Sequence, residues 1–520
     1  MITRRGLLAG VLATGCAGGE RTPPVVGEIV GRSDAERGHA SGSGAVAGSE
    51  RVDVAILGAG IGGLSAAWRL RRAGFDGTVA HVELGDRIGG TAQGDGGFPW
   101  GAHYVTLPNP GAAHYRAILA DLGVITGFDP DGRPRFDDRA LCYAPQERLW
   151  DGQRWTEGLL PETLAPQDAA QVAAFEALCR AWRDRRGADG LRAFDIPVAH
   201  SSADPAFREL ARISFADWLA AQGLDGWAVR WLARYAVRDD FGSEPEAVSA
   251  WAGLHYHCAR APDPAMRDLG TQVLTWPQGN GWLVAALAAR SPWPVATGAV
   301  VRQLEAEDEQ VRVVVVQGER TREIVARTVI AALPSRVVAR WLPVATVPDL
   351  APWRIAALHV DRLPSGPGLA FAWDSVLLGA RGLGYVSNAH QTGAFRGPAV
   401  LTYYDPLSGG LPADGRRALL GAAWADEADL VLADLAPAHP DLRAVVRRVD
   451  VRHWGHGTTI PAVGLHADPG WHHVQPHPRV WLAHTDRSGM SLFEEASWHG
   501  VRAAEGALAQ LGRPPAERLC

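Results

Sequence analysis

The chain has 520 residues, 47% of them hydrophobic, 21% charged, and a formal net charge of -6 at pH 7. Its length is about that of three domains of ~150 residues, enough to bury a large core. The composition excludes whole-chain disorder and a polytopic membrane protein, and the acidic balance argues against nucleic acid as a partner. All 51 basic residues are arginine, and 20 Trp outnumber 8 Tyr and 12 Phe.

The N-terminus reads as an address rather than as structure. Arg4-Arg5 precedes a short apolar run and small residues ending at Cys16, a run too short to cross a bilayer. Thr3-Arg4-Arg5-Gly6-Leu7-Leu8 resembles a twin-arginine export signal, and Ala13-Thr14-Gly15-Cys16 resembles a lipobox whose usual leucine stands one place early, at Leu12. The expectation is an exported, periplasmic or membrane-anchored lipoprotein, touching the membrane only through a lipid at Cys16. Residues 17–50 are rich in Gly, Ala, Ser, Glu and Arg and read as a flexible tether, except that Val25–Val30 has the composition of an edge strand. None of the five cysteines forms a CxxC pair, no metal site is expected, and disulfides among Cys142, Cys179, Cys258 and Cys520 are not readable.

The strongest signal follows. Val52–Leu57 is a β-rich apolar run, Gly58-Ala59-Gly60-Ile61-Gly62-Gly63 comes next, and Leu64–Gly74 has helical periodicity. A second strand, Thr78–Val82, ends at Glu83. This strand–glycines–helix–strand–acid context marks a dinucleotide fingerprint. Gly58 permits the tight turn, Gly60 lets backbone approach a pyrophosphate, Gly63 lets helix pack on strand, and Glu83 accepts from ribose hydroxyls.

Glu83-Leu84-Gly85-Asp86-Arg87-Ile88-Gly89-Gly90-Thr91 resembles the E-x-x-x-R-x-G-G extension of the flavin amine oxidase and phytoene desaturase superfamily. The resemblance implies non-covalent FAD, with Arg87, Gly89, Gly90 and Thr91 along its pyrophosphate and ribityl chain. It places Gly101, Ala102 and His103, in Phe98–Tyr104, beside the flavin ring. Thr275–Leu283 resembles the family's turn opening a helix, and Val301 matches the valine whose backbone meets the adenine. The strands Gln310–Gln317 and Arg322–Thr328 follow. Val480–Asp486 and Glu494–Ala504 resemble the closing motif. They give Asp486 the ribityl-binding role and set Ala496 at a helix N-terminus facing the flavin. His484, Glu495 and His499 stand where the family usually has Gly, Gly and Ser.

The fold expected is α/β: a Rossmann-like FAD-binding domain of three discontinuous segments (51–140, 271–345 and 471–515) and a mixed-sheet and helical α+β substrate domain (141–270 and 346–470). Helical spacing marks Asp168–Arg185, Ser214–Leu219 and Trp227–Arg238; alternation marks Ile355–Val360 and Val400–Tyr404. Trp454 and His456 are the candidate catalytic residues, because the superfamily often sets an aromatic beside the flavin face before its closing motif. Tyr385, His390 and Gln391 are weaker candidates, and His255–Cys258 reads as a structural aromatic patch.

The resemblance implies an FAD-dependent oxidoreductase of amine oxidase type, in which a hydride passes from a substrate C–H to flavin N5. Many members hold a lysine near N5 that is tied to oxygen reactivity. This chain has none, which weighs against a true oxidase and leaves the electron acceptor and the small-molecule substrate open. The alternatives are a desaturase or isomerase of an apolar substrate, and a non-catalytic flavin-binding module.

Overall fold

The computed structural model describes residues 24–40, 44–260, 272–470 and 474–520. The expected export signal, with Cys16, and the Trp471-His472-His473 run lie outside them. The architecture is mixed α/β, built on two sheets.

The first sheet is the nucleotide-binding type. Its middle is strand β2 (Ser49–Leu57), parallel to Val79–Val82 (β3) on one side and to Arg320–Ala331 on the other. Val295–Ala296 extends it beyond β3, and Val480–Leu482 joins in parallel beside Val329–Ala331. Val311–Gln317 and Ala299–Ala306 continue it as antiparallel strands. The last four residues of β2 are buried, as a parallel strand covered on both faces must be. Three separated stretches of chain therefore share one sheet.

Helix α2 (Ile61–Arg72) starts three residues before its apolar periodicity does, because Gly62 and Gly63 form its first turn. A Cβ on Gly63 would lie 2.0 Å from the Gly58 carbonyl oxygen, and one on Gly62 would lie 2.0 Å from that of Ala483. The closing helix Phe493–Gln510 crosses α2 so closely that a Cβ on Gly500 would lie 2.2 Å from the Gly62 carbonyl oxygen. Side-chain-free contacts of this kind fix the turn, the helix and the C-terminal strand as one body.

The second sheet has eight strands. In order they are Ile29–Val30 (β1), Val446–Thr459, Leu350–Val360, Ala399–Pro406, Gly384–Ser387, Asp374–Leu377, Glu147–Trp150 and Trp155–Glu157. Beside it lies a helical layer, including Pro166–Arg183, Trp227–Phe241 and Ala250–Cys258, around a core of Phe175, Phe194, Phe215 and Trp251. Trp227–Phe241 runs three residues past its expected end and stops at Gly242, whose φ of +62° is a left-handed cap.

The edge strand expected within Val25–Val30 is present as β1, whereas the tether reading fails for residues 32–39. Beyond β1, which pairs in parallel with Val451 and Arg452, residues Arg32–His39 form helix α1. Its sequence, RSDAERGH, has no apolar stripe, so periodicity could not reveal it; ion pairs and backbone contacts hold it instead. Cys142, Cys179, Cys258 and Cys520 are free thiols. No described helix is long and apolar enough to cross a membrane.

Candidate functional site

The fingerprint residues build an open cradle. Gly58 turns the chain at φ +96° and donates its N–H to the Val82 carbonyl at 2.8 Å. Glu83 ties two loops together: Oε2 accepts from the Ala59 N–H (2.7 Å) and Oε1 from the Gly85 N–H (2.9 Å). Burial holds its carboxyl above the ordinary range against those bonds. Gly60 caps α2 without any side-chain cap or first-turn acid, and a Cβ there would meet nothing within 4 Å. Gly89 (φ +114°) donates to the Ala59 carbonyl at 2.8 Å, so the Gly89–Gly90 turn lies alongside Gly60. Ala102 N–H donates to the Thr91 carbonyl at 3.0 Å, and Gly101 runs so near Thr91 that a Cβ would lie 2.2 Å from its oxygen. An uncapped helix start facing empty space, walled by glycine backbone, suits a diphosphate. The residues present fit a dinucleotide cofactor.

Other expected cofactor-binding residues also engage protein groups. Arg87 is exposed and ion-paired to Asp95 at 2.6 Å. Val301 sits opposite Val315 where the strand Ala299–Ala306 bulges. Asp486 is 1% exposed, and its oxygens accept from the Ser335 N–H (2.6 Å) and Oγ (3.0 Å). The implied ribityl acid thus holds the start of the short helix Ser335–Val338 that follows the strand Arg320–Ala331. His484 Nδ1 accepts from the Asp486 N–H at 3.2 Å. Ala496 is buried in the closing helix beside Gly62. The large residues at the family's small positions turn into protein. Glu495 accepts from the Val198 N–H at 2.6 Å, with burial raising its carboxyl to about 8, and His499 is fully buried, edge-on to Trp498.

Trp454 and His456 part company. Both lie on the long strand Val446–Thr459. Trp454 donates from Nε1 to the Trp100 carbonyl at 2.5 Å, carries the Arg452 guanidinium 4.2 Å above its ring, and borders Gly101. His456 is exposed. Two residues of strand carry it about 7 Å onward on the same face, where partial burial and the nearby Arg416 and Arg336 lower its imidazole to about 4. Tyr385, His390 and Gln391 are structural: the Tyr385 hydroxyl bonds Arg148 and His439, His390 stacks on Phe371, and Gln391 donates to the Leu141 carbonyl. His255 stacks on Trp251 and His257 meets Phe175 edge-on; among described residues no cluster of three or more His, Cys, Asp or Glu is arranged for a metal.

A cluster of aromatic and acidic side chains that sequence reasoning missed gathers around His103 and Tyr104. His103 contacts Trp373 and Tyr404 at 5.5 and 5.3 Å between ring centroids, and Tyr104 meets Trp373 edge-on at 6.0 Å. Tyr404 and Tyr235 both donate hydroxyls to Asp374. Asp240 accepts two bonds from Arg260 at 2.8 Å, and the Arg260 guanidinium lies 4.4 Å from the Tyr256 ring centre. Asp239 makes no hydrogen bond or ion pair with any described residue. Asp239, Asp240 and Glu147 are half-buried, and Asp240, Asp374 and Glu147 all act on Asp239 through charge.

Burial, then the neighbouring Asp240 and Asp374, pushes Asp239 well above the carboxylate range. Burial, with Glu147 close by, raises Asp374 to about 7. Burial likewise lowers His103 to about 4. Its Nδ1 lies 3.1 Å from the Gly101 carbonyl, which can only accept, so the ring is neutral with its proton on Nδ1. The signal that was available was Asp239-Asp240 near the end of an amphipathic helix; nothing local showed that four elements converge on it.

Two outcomes test this site. Gly60→Val should leave melting unchanged but abolish cofactor content, whereas Gly63→Ala, which collides with the Gly58 carbonyl, should cost about 1–3 kcal/mol of stability; equal effects on folding would contradict the cradle. Asp374 binds its proton more tightly folded (about 7) than unfolded (3.8), so its contribution is complete below about pH 4 and is lost as pH rises through 7. Asp374→Asn should therefore flatten the fall in melting temperature between pH 5 and 8, and an unchanged slope would contradict that assignment.

Comparison with known proteins agrees with this geometry. No functionally curated protein matches the chain. Among solved structures, cyclohexylamine oxidase from Brevibacterium oxydans IH-35A superposes with a TM-score of 0.64 at 19% identity, over 89% of this chain and 100% of that one. Putrescine oxidase bound to putrescine gives 0.61 at 17% identity, over 89% and 100%. A fatty acid isomerase from P. acnes gives 0.59 at 15% identity, over 87% and 97%. These similarities show the fold. The family model for flavin containing amine oxidoreductase matches residues 61–508, and the chain belongs to that family: it is a flavin-dependent oxidoreductase.

Proposed function

We propose that this enzyme oxidises an organic amine, with FAD held non-covalently in the cradle and the substrate held as a cation at the acidic cluster. The observation that carries the reading is a carboxylate cluster: Asp239, Asp240, Glu147 and Asp374 gather around Arg260, among the rings of Tyr104, Trp373 and Tyr404, next to the His103–Tyr104 segment. Clustered carboxylates without enough countercharge are costly unless a cation completes them, and Tyr and Trp faces add attraction for ammonium groups. An apolar alkene would leave the same carboxylates uncompensated, which argues against the desaturase or isomerase reading. The names of the cyclohexylamine and putrescine oxidases agree with amine chemistry.

In this proposal Gly58, Gly60, Gly63, Glu83, Gly89, Gly90 and Thr91 hold the dinucleotide, and Val301 borders its adenine. FAD supplies a two-electron acceptor for the hydride of the C–H bond next to nitrogen. Asp239 and Glu147 draw the ammonium in, and an entering cation favours their ionised forms. His103, neutral and fixed by Gly101, offers Nε2 as an acceptor that orients the substrate. Trp454, pinned by Trp100 and Arg452, keeps the edge of the site rigid and excludes water. The protein is placed outside the cytoplasm on the strength of Arg4-Arg5 and the apolar run after them, which cell fractionation tests.

The deciding experiment is steady-state turnover of amines by wild type and Asp239→Asn, with oxygen and with an artificial dye as electron acceptor. We expect KM to rise about tenfold or more with a smaller change in kcat, and wild-type KM to fall as pH rises from 6 to 8 and Asp374 ionises. An Asp239→Asn enzyme with unchanged KM would contradict the cluster as the cation site.

A further inference from the structure

We propose that residues Val26–His39 form a strap that closes over the adenosine end of the dinucleotide site and retains the cofactor. This rests on the FAD assignment above and concerns a segment that precedes the family match at residue 61.

Two parts of the nucleotide fold flank the adenosine in that assignment: the loop after Glu83 and the strand carrying Val301. Helix α1 touches both. Arg37 donates from Nη1 to the Leu84 carbonyl at 2.8 Å and from Nη2 to Asp86 at 2.7 Å. Asp34 Oδ1 accepts from the Asp86 N–H at 3.1 Å. Arg302, next to Val301, donates to the Arg37 carbonyl at 3.1 Å. Gly38 sits where a Cβ would lie 3.3 Å from the Leu84 side chain, and a Cβ on Gly85 would lie 3.6 Å from Asp34. The repulsion of Asp34 adds to burial in raising Glu83.

The same segment is tied to the other sheet. Val26 and β1 run beside Arg448–Arg452, Glu28 pairs with Arg448 at 2.7 Å, and Asp34 pairs with Arg452 at 3.2 Å. Arg452 is the cation stacked on Trp454. One short stretch thus touches both sheets.

Its energetics suit a part that opens and closes. An eight-residue helix is not stable alone in water, and α1 contributes no apolar stripe to a core. It is held by ion pairs and hydrogen bonds, several at the surface, which individually stabilise little. Segments held this way open far more readily than the body they cover. A bound adenosine would give α1 a surface to close on, and α1 would slow its escape.

The test uses the full-length protein loaded with FAD. Hydrogen exchange of the amides in 32–39 is measured with and without FAD, and flavin release on dilution is followed by fluorescence for wild type and an Asp34→Asn/Arg37→Ala double variant. We expect FAD to slow exchange in 32–39, and the double variant to release flavin about tenfold faster at an unchanged apoprotein melting temperature, the loss of several partly exposed ion pairs being of that order. Exchange in 32–39 that ignores FAD overturns the strap, even if the variant misfolds. Slower release or tighter binding in the variant also overturns it, because α1 would then be competing for the site. A chain that takes up no FAD at all fails the cofactor assignment itself, a separate outcome.

Discussion

Everything in the molecule that bears on chemistry depends on backbone meeting backbone around Gly62 and Gly63. There the turn after β2, the start of α2, the C-terminal strand at Ala483 and the closing helix at Gly500 approach within distances that admit no Cβ. Gly60, in the same turn, is the one whose missing side chain faces empty space. The crowded glycines set the geometry, and the open one leaves room for a phosphate. Because strands from three separated stretches meet in this sheet, the second sheet and its helices are hung from a rigid base, and the 101–104 segment is held at a defined place between them.

That segment is where the two halves exchange roles. Its backbone is laced to Thr91 in the cradle, while its side chains, His103 and Tyr104, form one side of the acidic cluster. The cluster departs from what stability alone would select: its carboxylates, pushed above their ordinary range by burial and by one another, are retained around Arg260. In the proposed function, perturbed carboxylates clustered among aromatic rings are where a ligand would bring the missing charge.

How much of this was legible in the sequence follows from how local each feature is. The strand–glycine–helix–acid unit is contiguous, so its chemistry could be read directly, and the ordered repetition of motifs at the beginning, middle and end pointed to the discontinuous domain. Helix α1 was not legible, since eight residues without an apolar stripe carry no periodicity and only Leu84, Asp86, Arg302 and Arg452, distant in sequence, explain it. The acidic cluster was not legible either: Glu147, Asp239, Asp374 and Tyr404 come from four elements that only the eight-stranded sheet and its helical layer bring together. His456, two residues from Trp454 in sequence, lies about 7 Å further along the same strand, a spacing the motif alone does not show.

The most direct test of the account is anaerobic titration of the purified, flavin-loaded protein with primary and secondary amines, with alkenes of matched size as controls, watching the visible flavin band. The account requires that amines bleach the band and alkenes leave it unchanged. Bleaching confined to alkenes, or a flavin that no amine reduces, would contradict it.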